Sequence, residues 1–263
     1  MGALWLRGRL QPRRRSPREP VTAFASPVGV DSVDILPDSW AKRSYDVAIS
    51  ILLLVLLSLP MMLLALGIRL ESAGPVLYRS RRVGRGGREF EMLKFRKMHR
   101  DASGPPLTSR NDDRLTRIGK FLLRTKLDEL PQLWNVVRGD MSLVGPRPED
   151  PSFVAIYPVE FRAIFRVKPG ITGLSQLAFA KENRILARPE FADSYPNRLL
   201  PAKIEIDRLY IARRSIMLDT RVLIWTIGTI LFGRDVAVDR GNGRLSMRRR
   251  PESPPSVVGE RTT

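Results

Sequence analysis

The chain has 263 residues, enough for one domain with a sizeable core plus appendages. Lys and Arg number 45 against 27 Asp and Glu, a net charge of +18 that implies polyanionic company: nucleic acid, an anionic membrane surface or phosphorylated substrates. The absence of cysteine excludes disulfides and thiolate nucleophiles, and the single histidine, His99, excludes His-rich metal sites and argues against a Ser-His-Asp relay, which leaves a carboxylate, a hydroxyl or a lysine as any covalent nucleophile.

Residues 1–41 are rich in Arg, Pro and Ser without a hydrophobic period and are expected to form a disordered basic tail. No apolar h-region precedes residue 47, so no secretory signal is expected there. Residues 47–68 then form the one long uncharged apolar run, closed by Arg69. About 20 such residues suffice to cross a bilayer. A buried soluble helix is the plain alternative, but an unbroken run of this kind is rare in soluble cores. Pro60 removes one ladder hydrogen bond inside the run and predicts a kink there. Lys42 and Arg43 precede the run, and Arg69, Arg79, Arg81 and Arg82 follow it. The rule that keeps Lys and Arg cytoplasmic asks for both ends on one side. Residues 42–70 therefore read either as a helix kinked at Pro60 that dips into one leaflet and returns, or as a span. Ser58, near the kink, is placed to cover a freed carbonyl.

Residues 71–75 (ESAGP) read as a turn, and 76–83 and 90–98 as two strands around Gly84-Arg85-Gly86-Gly87, a small β-hairpin. No Walker lysine and no strand-to-helix transition accompanies those glycines, so they read as a turn rather than a phosphate loop. Lys94 and Arg96 share one strand face by alternation, placed either to meet a substrate phosphate or to pair with a core acid. His99 is expected to be exposed. The 101–106 stretch (DASGPP) reads as a loop, either a connector or a lid, and 111–116 as a capping turn before a helix reaching Leu123.

Residues 119–148 carry the densest chemistry. Asp128 and Glu129 are adjacent, with Pro131 two residues on, a proline position tolerated in a helix's first turn. A helix opening near Asp128, running towards Val137 and stopped by Gly139 is predicted, with its positive dipole end beside both carboxylates. Adjacent helical residues point about 100° apart, so the two acids would border one cavity in different roles. In Gly145-Pro146-Arg147-Pro148 a guanidinium is held between two prolines, a planar fork suited to phosphate oxygens. The bland alternative is an N-capping Asp128, a solvated Glu129 and a surface Arg147.

The block resembles the bacterial sugar transferases, the monotopic polyprenyl-phosphate phosphoglycosyl transferases. The matching residues are Gly119, Leu127-Asp128-Glu129-Leu130-Pro131-Gln132-Leu133, Asn135-Val136, Gly139-Asp140-Met141-Ser142 and Val144-Gly145-Pro146-Arg147-Pro148. Arg82-Val83-Gly84, Gly87, Phe90, Lys94-Phe95-Arg96-x-Met98 and Lys168-Pro169-Gly170-Ile171-Thr172-Gly173 extend the likeness, which covers about residues 42–232. The resemblance implies a re-entrant helix broken at a Ser-Pro pair, here spread over Ser58-Leu59-Pro60. The family also has an arginine where this chain has Leu123, and Arg124 would have to take its place as a phosphate contact. A tryptophan usual near the KPGITG turn is absent.

After Pro148, residues 157–167 and 203–211 read as helices, with Asp207 and Tyr210 in the family's register. The 182–197 stretch is polar and contains proline, and 216–232, interrupted by Asp219, Thr220 and Arg221, reads as an interfacial or docked helix with Trp225 near headgroup level. The expected organisation is α/β and α-rich: tail 1–41, re-entrant helix 42–70, catalytic domain 71–232 and a second basic tail 233–263. The implied activity moves a sugar-1-phosphate from a nucleoside diphosphate sugar, usually a UDP-sugar, onto a polyprenyl phosphate, on the cytoplasmic face of the bacterial inner membrane. The resemblance gives Asp128 the role of covalent nucleophile and Glu129 that of Mg²⁺ ligand, with Arg147, Lys94, Arg96 and Arg124 on phosphates. Two other classes stay open: a membrane-tethered nucleic-acid-binding protein and a non-catalytic scaffold of a polysaccharide assembly complex. Nucleic acid is not the expected partner, because no aromatic interleaving or known module accompanies the charge. The oligomeric state is open, a homo-oligomer included.

Overall fold

The structure, a computed structural model, describes residues 33–100, 102, 112–180, 195–233, 236–239 and 241–247. The basic tail up to residue 32, nearly all of the 101–106 loop, most of the 182–197 stretch and everything beyond 247 lie outside the described residues.

The apolar run folds as two helices, α1 (Trp40–Leu56) and α2 (Ser58–Glu71), bent by 62° at the break between them. The kink falls at Leu57 rather than at Pro60. Proline lacks the N–H that the Leu56 carbonyl four residues back would accept, so the ladder fails one turn upstream, while Pro60 itself sits comfortably in the first turn of α2. Leu57 N–H still donates to Leu53 O at 2.8 Å, and Met61 N–H to Leu57 O at 2.9 Å. Ser58 Oγ donates to Val55 O at 2.8 Å, covering a carbonyl at the break as its position suggested. No single helix among the described residues is long and apolar enough to cross a membrane; the bent pair qualifies together.

Strands β1 (Leu77–Val83) and β2 (Glu89–Phe95) pair antiparallel, with Val83 opposite Glu89 around the predicted glycine turn. Helix α3 (Arg117–Thr125) starts at Thr116, whose Oγ1 accepts from Gly119 N–H at 2.9 Å. At Gly119 a Cβ would stand 1.9 Å from Lys97 O, so only glycine lets α3 close against the segment leaving β2. Helix α4 (Gln132–Arg138) ends at Gly139 (φ 98°), as the sequence predicts. The buried Asn135 on α4 accepts from Leu93 N–H at 2.9 Å and donates to Glu91 O at 2.8 Å, which fixes α4 against β2.

Strand β3 (Ser142–Val144) pairs parallel with β4 (Gly170–Thr172), joined through the short helices α5 (Pro151–Val154) and α6 (Pro158–Ile164). Beyond β4 come α7 (Leu174–Ala178), α8 (Leu200–Arg213) and α9 (Ile216–Phe232). The main core gathers Met92, Leu133, Val136, Leu143, Leu177 and Val222 from β2, α4, β3, α7 and α9. Among the described residues the chain is thus helix-rich with three small two-stranded sheets, where one hairpin was expected. A third sheet, β5 (Val236–Val238) with β6 (Leu245–Met247), lies beyond 233, in the stretch expected to be a disordered basic tail. Val236 is buried in the core, and Asp239 Oδ1 accepts from Gly241 and Asn242 N–H at 2.8 and 2.9 Å to hold the turn.

The base of α1 is anchored by charge. Lys42 Nζ lies 2.6 Å from Asp46 Oδ1 and 2.8 Å from Asp219 Oδ2 on α9. Tyr210 Oη donates to Asp219 at 2.8 Å or Val144 O at 3.0 Å, and Ser142 Oγ to Asp46 Oδ2 at 2.8 Å. Arg43 donates to the Val136 and Val137 carbonyls at 2.6 and 2.8 Å, covering the open C-terminal end of α4. At its far end α2 is tied to α3: Glu71 accepts from Arg117 N–H at 2.7 Å and from Ile118 N–H at 3.1 Å.

Candidate active site

Lys126, in the left-handed region (φ 62°), ends α3 and turns the chain into a 3₁₀ turn, Leu127–Glu129. This corrects the predicted helix start: α4 opens at Gln132 behind Pro131, and the acid pair sits in the turn before it. Side-chain cations rather than a helix end hold the acids. Asp128 is 2 % exposed, with Oδ2 3.4 Å from Lys97 Nζ and Oδ1 without a hydrogen-bond partner. Glu129 Oε1 lies 3.1 Å from Arg147 and 3.4 Å from Lys94. Each acid therefore has its own cations, as the divergent directions of neighbouring residues require.

Burial acts against the ionised form of Glu129, but the charges of Arg147, Lys94 and Lys126 outweigh it and hold the carboxyl well below the usual range. Burial pushes Lys94 down to about 8 against the pull of Glu129. Arg147 is placed by a backbone crossing. Gly145 N–H donates to Thr172 O at 2.9 Å and Gly170 N–H to Pro146 O at 2.8 Å. A Cβ on Gly170 would meet Gly145 N at 2.1 Å, so the KPGITG turn and the Gly145-Pro146-Arg147-Pro148 segment fit only as glycine against glycine.

Two expectations change. Arg96 donates to Ala73 O, Ser72 O and Ser72 Oγ at 2.7–2.9 Å, so it caps the C-terminal end of α2 rather than offering its fork to a phosphate. It lies past the end of β2, where alternation no longer governs direction. Arg124 is exposed on the cavity wall while Leu123 is buried, so Arg124 stands apart from the ion pairs at Asp128 and Glu129. The cations that act on the acids include two the motifs did not flag, Lys97 and Lys126. Lys97 fills the unassigned position of Lys94-Phe95-Arg96-x-Met98, and only the contact between Gly119 and its carbonyl shows why it is fixed there. His99 is exposed, as expected.

The acids line a cavity of about 1360 Å³. Beyond Arg147 it reaches a second charged group. Tyr195 Oη donates to Glu149 Oε1 at 2.9 Å, Lys203 Nζ to Tyr195 Oη at 3.1 Å, and Asp207 lies buried behind them. Burial raises Asp207 to about 7, opposed by the Ser175 hydroxyl and Lys203. On another side the wall is apolar, made by Leu53 of α1 and by Leu223, Ile227 and Ile230 of α9.

Among the described residues no group of three or more His, Asp or Glu side chains converges on a metal position. Asp128 and Glu129 still offer two carboxylates, one with an unpartnered oxygen. That donor set suits a Mg²⁺ ion that takes one or two carboxylates and completes its shell from substrate phosphates.

The bacterial sugar transferase family profile matches residues 37–233. The chain belongs to the bacterial sugar transferase family. An undecaprenyl-phosphate glucose phosphotransferase of Komagataeibacter xylinus is 40% identical over 75% of this chain and 37% of its own length. A UDP-glucose:undecaprenyl-phosphate glucose-1-phosphate transferase of Caulobacter vibrioides is 39% identical over 72% of this chain and 69% of its own. A UDP-N-acetylgalactosamine-undecaprenyl-phosphate N-acetylgalactosaminephosphotransferase of Aeromonas hydrophila is 38% identical over 74% and 44%. This sugar transferase chain thus spans less than half the length of two of these relatives and about two thirds of the third.

Proposed function

We propose that the protein transfers a sugar-1-phosphate from a UDP-sugar to undecaprenyl phosphate or a similar polyprenyl phosphate, at the cytoplasmic face of the inner membrane. The observation that carries this reading is one cavity in which a cation-ringed acid pair adjoins an apolar wall built from α1 and α9. A nucleotide diphosphate needs the first feature and a lipid acceptor the second. Asp128 attacks the β-phosphorus: an Oδ–P bond forms, the bridging P–O bond breaks, and its electron pair leaves with UMP. The acceptor's phosphate oxygen then attacks the same phosphorus, the P–Oδ bond breaks, and the carboxylate is regenerated. Arg147 and Lys94 counter charge on the phosphoryl oxygens, with Glu129 keeping both cations in place. Mg²⁺, when bound at Glu129, would neutralise charge on the diphosphate.

The membrane reading rests on the anchors of the bent pair. Ile51, Leu52, Val55, Leu56, Leu59 and Leu63 are exposed on it, a contiguous apolar surface that suits lipid. Its first end is bound to α4 and α9, and its second to α3 and Arg96. Both ends dock on one catalytic domain, so they lie on one side of a bilayer, and the pair enters a leaflet and returns. The rival nucleic-acid reading loses weight because Lys94, Arg96 and Lys203, all counted in the net charge, are buried.

Purified protein with UDP-sugars and undecaprenyl phosphate is expected to release UMP, and Asp128→Asn to abolish release while staying membrane-bound. Undiminished turnover in that variant would end the covalent route. Chelation with EDTA should stop release and added Mg²⁺ restore it; indifference to both would remove the metal. Because the chain has no cysteine, single cysteines at Trp40 and Leu70 can be labelled with an impermeant maleimide. Labelling from opposite faces would make the pair a span.

A further inference from the structure

Lys97 touches neither Glu129 nor Arg147 in any ion pair of the described residues; its partner is Asp128, with Nζ 3.4 Å from Oδ2. The lysine side chain is 19% exposed and the aspartate side chain 3%, and both line the cavity. A ligand approaching the carboxylate therefore meets the ammonium first. The backbone of Lys97 is locked: its carbonyl accepts from Thr116 N–H at 3.0 Å, and α3 closes against it at Gly119. From that fixed root a lysine stem of four carbons is long and flexible enough to reach a neighbouring group. Lys94 and Arg147, by contrast, are both committed to Glu129 Oε1. Asp128 Oδ1, the other oxygen of the pair, has no hydrogen-bond partner.

We propose that Lys97 is the positioning residue of the nucleophile: it holds the Asp128 carboxylate through Oδ2, then passes its charge to the phosphoryl group. The inference rests on the transferase reading above. When the Oδ–P bond forms, the aspartate loses its negative charge to the acyl phosphate. The phosphoryl oxygens and the departing UMP oxygen carry that charge instead, within reach of an ammonium that no longer has a carboxylate partner. When the acceptor phosphate displaces the aspartate, the carboxylate returns and Lys97 pairs with it again. Lys97 thus balances charge through both steps without giving up a proton.

The test is the acceptor-independent exchange of labelled UMP into UDP-glucose, UDP-galactose or UDP-N-acetylgalactosamine, which reads the first half-reaction alone. Lys97→Gln is expected to slow exchange about 100-fold, the scale of removing one preorganised charge stabiliser. The KM for the UDP-sugar should change little, because the loss falls on the step that forms the bond. Lys97→Arg should restore exchange to within about tenfold of wild type, since a cation at the same root regains the contact. Thermal melts of all three proteins accompany the kinetics. Wild-type exchange in Lys97→Gln overturns the inference. So does an equal loss in the Gln and Arg variants tracking a lowered melting temperature, which marks a merely structural lysine. Absence of exchange in the wild-type chain with every donor removes the transferase reading and this inference with it.

Discussion

Two acids feel the charge of Arg147 and end in opposite states. Glu129 is held well below the ordinary carboxylate range, whereas Asp207 is raised to about 7. Burial opposes the charged form of both, so burial alone does not separate them. Contact with cations does. Glu129 has Arg147 at 3.1 Å and Lys94 at 3.4 Å on one oxygen. Asp207 has an Oδ1 with no partner, and the cation that acts on it most, Lys203, lies 3.8 Å from Glu149 and donates to Tyr195. A pair at 4 Å gains about 4 kcal/mol at an effective dielectric of 20. Two such pairs exceed a desolvation cost of several kcal/mol; a single shared cation does not. On the proposed reading, the difference marks which acid is kept charged for phosphate chemistry and which one holds a proton near neutrality.

Removing the shared cation tests this most severely. Arg147→Gln is expected to lower UMP release by about 10²–10³, the scale of losing one preorganised stabiliser of transferred charge. Turnover within a factor of three of wild type would show that Arg147 only supports Glu129. Glu129→Gln comes next. It leaves Lys94 and Arg147 facing each other without their anion, and should cost about 3 kcal/mol of stability near neutral pH, read from melting temperature. The sign with pH follows from the depressed carboxyl. The unfolded chain binds a proton near 4.5 and the folded site does not, so the contribution of Glu129 is present above that pH and is lost as pH falls below it. The gap between wild type and variant must close on acidification; a gap independent of pH would mean the loss came from packing.

How far this contrast is legible in the sequence depends on range along the chain. The bent apolar pair, the glycine hairpin, the Thr116 cap and the Gly139 stop are local signals, and each appears within a residue or a turn of its expected place. The acids and Arg147 follow from motif density, and the structure brings Arg147 to Glu129, a contact the sequence did not predict. Arg96 misleads because strand alternation was carried past Phe95, where β2 ends. Lys97 and the Glu149–Lys203 pair join residues 31 and 54 positions apart, and no local pattern encodes such meetings. The β5–β6 hairpin is hidden by its setting, three-residue strands inside a basic stretch.

Asp207→Asn sharpens the comparison from its other side, through the pH dependence of stability alone. The carboxyl is neutral in the fold up to about 7, whereas the unfolded chain ionises from 3.8. Between those values the folded state holds the extra proton, so the stability owed to this group is full below 3.8 and falls as pH rises, levelling off above about 7. The limiting slope is about 1.4 kcal/mol per pH unit, and the real one is shallower because neighbouring groups relax. An amide keeps the shape and removes the titration. Asp207→Asn should therefore melt close to wild type at pH 4.5 and gain on it steadily to pH 7.5, the reverse of the Glu129→Gln trend. A constant difference across that range would mean that Asp207 is ionised throughout, paired with Lys203 in the way that Glu129 is paired with Arg147.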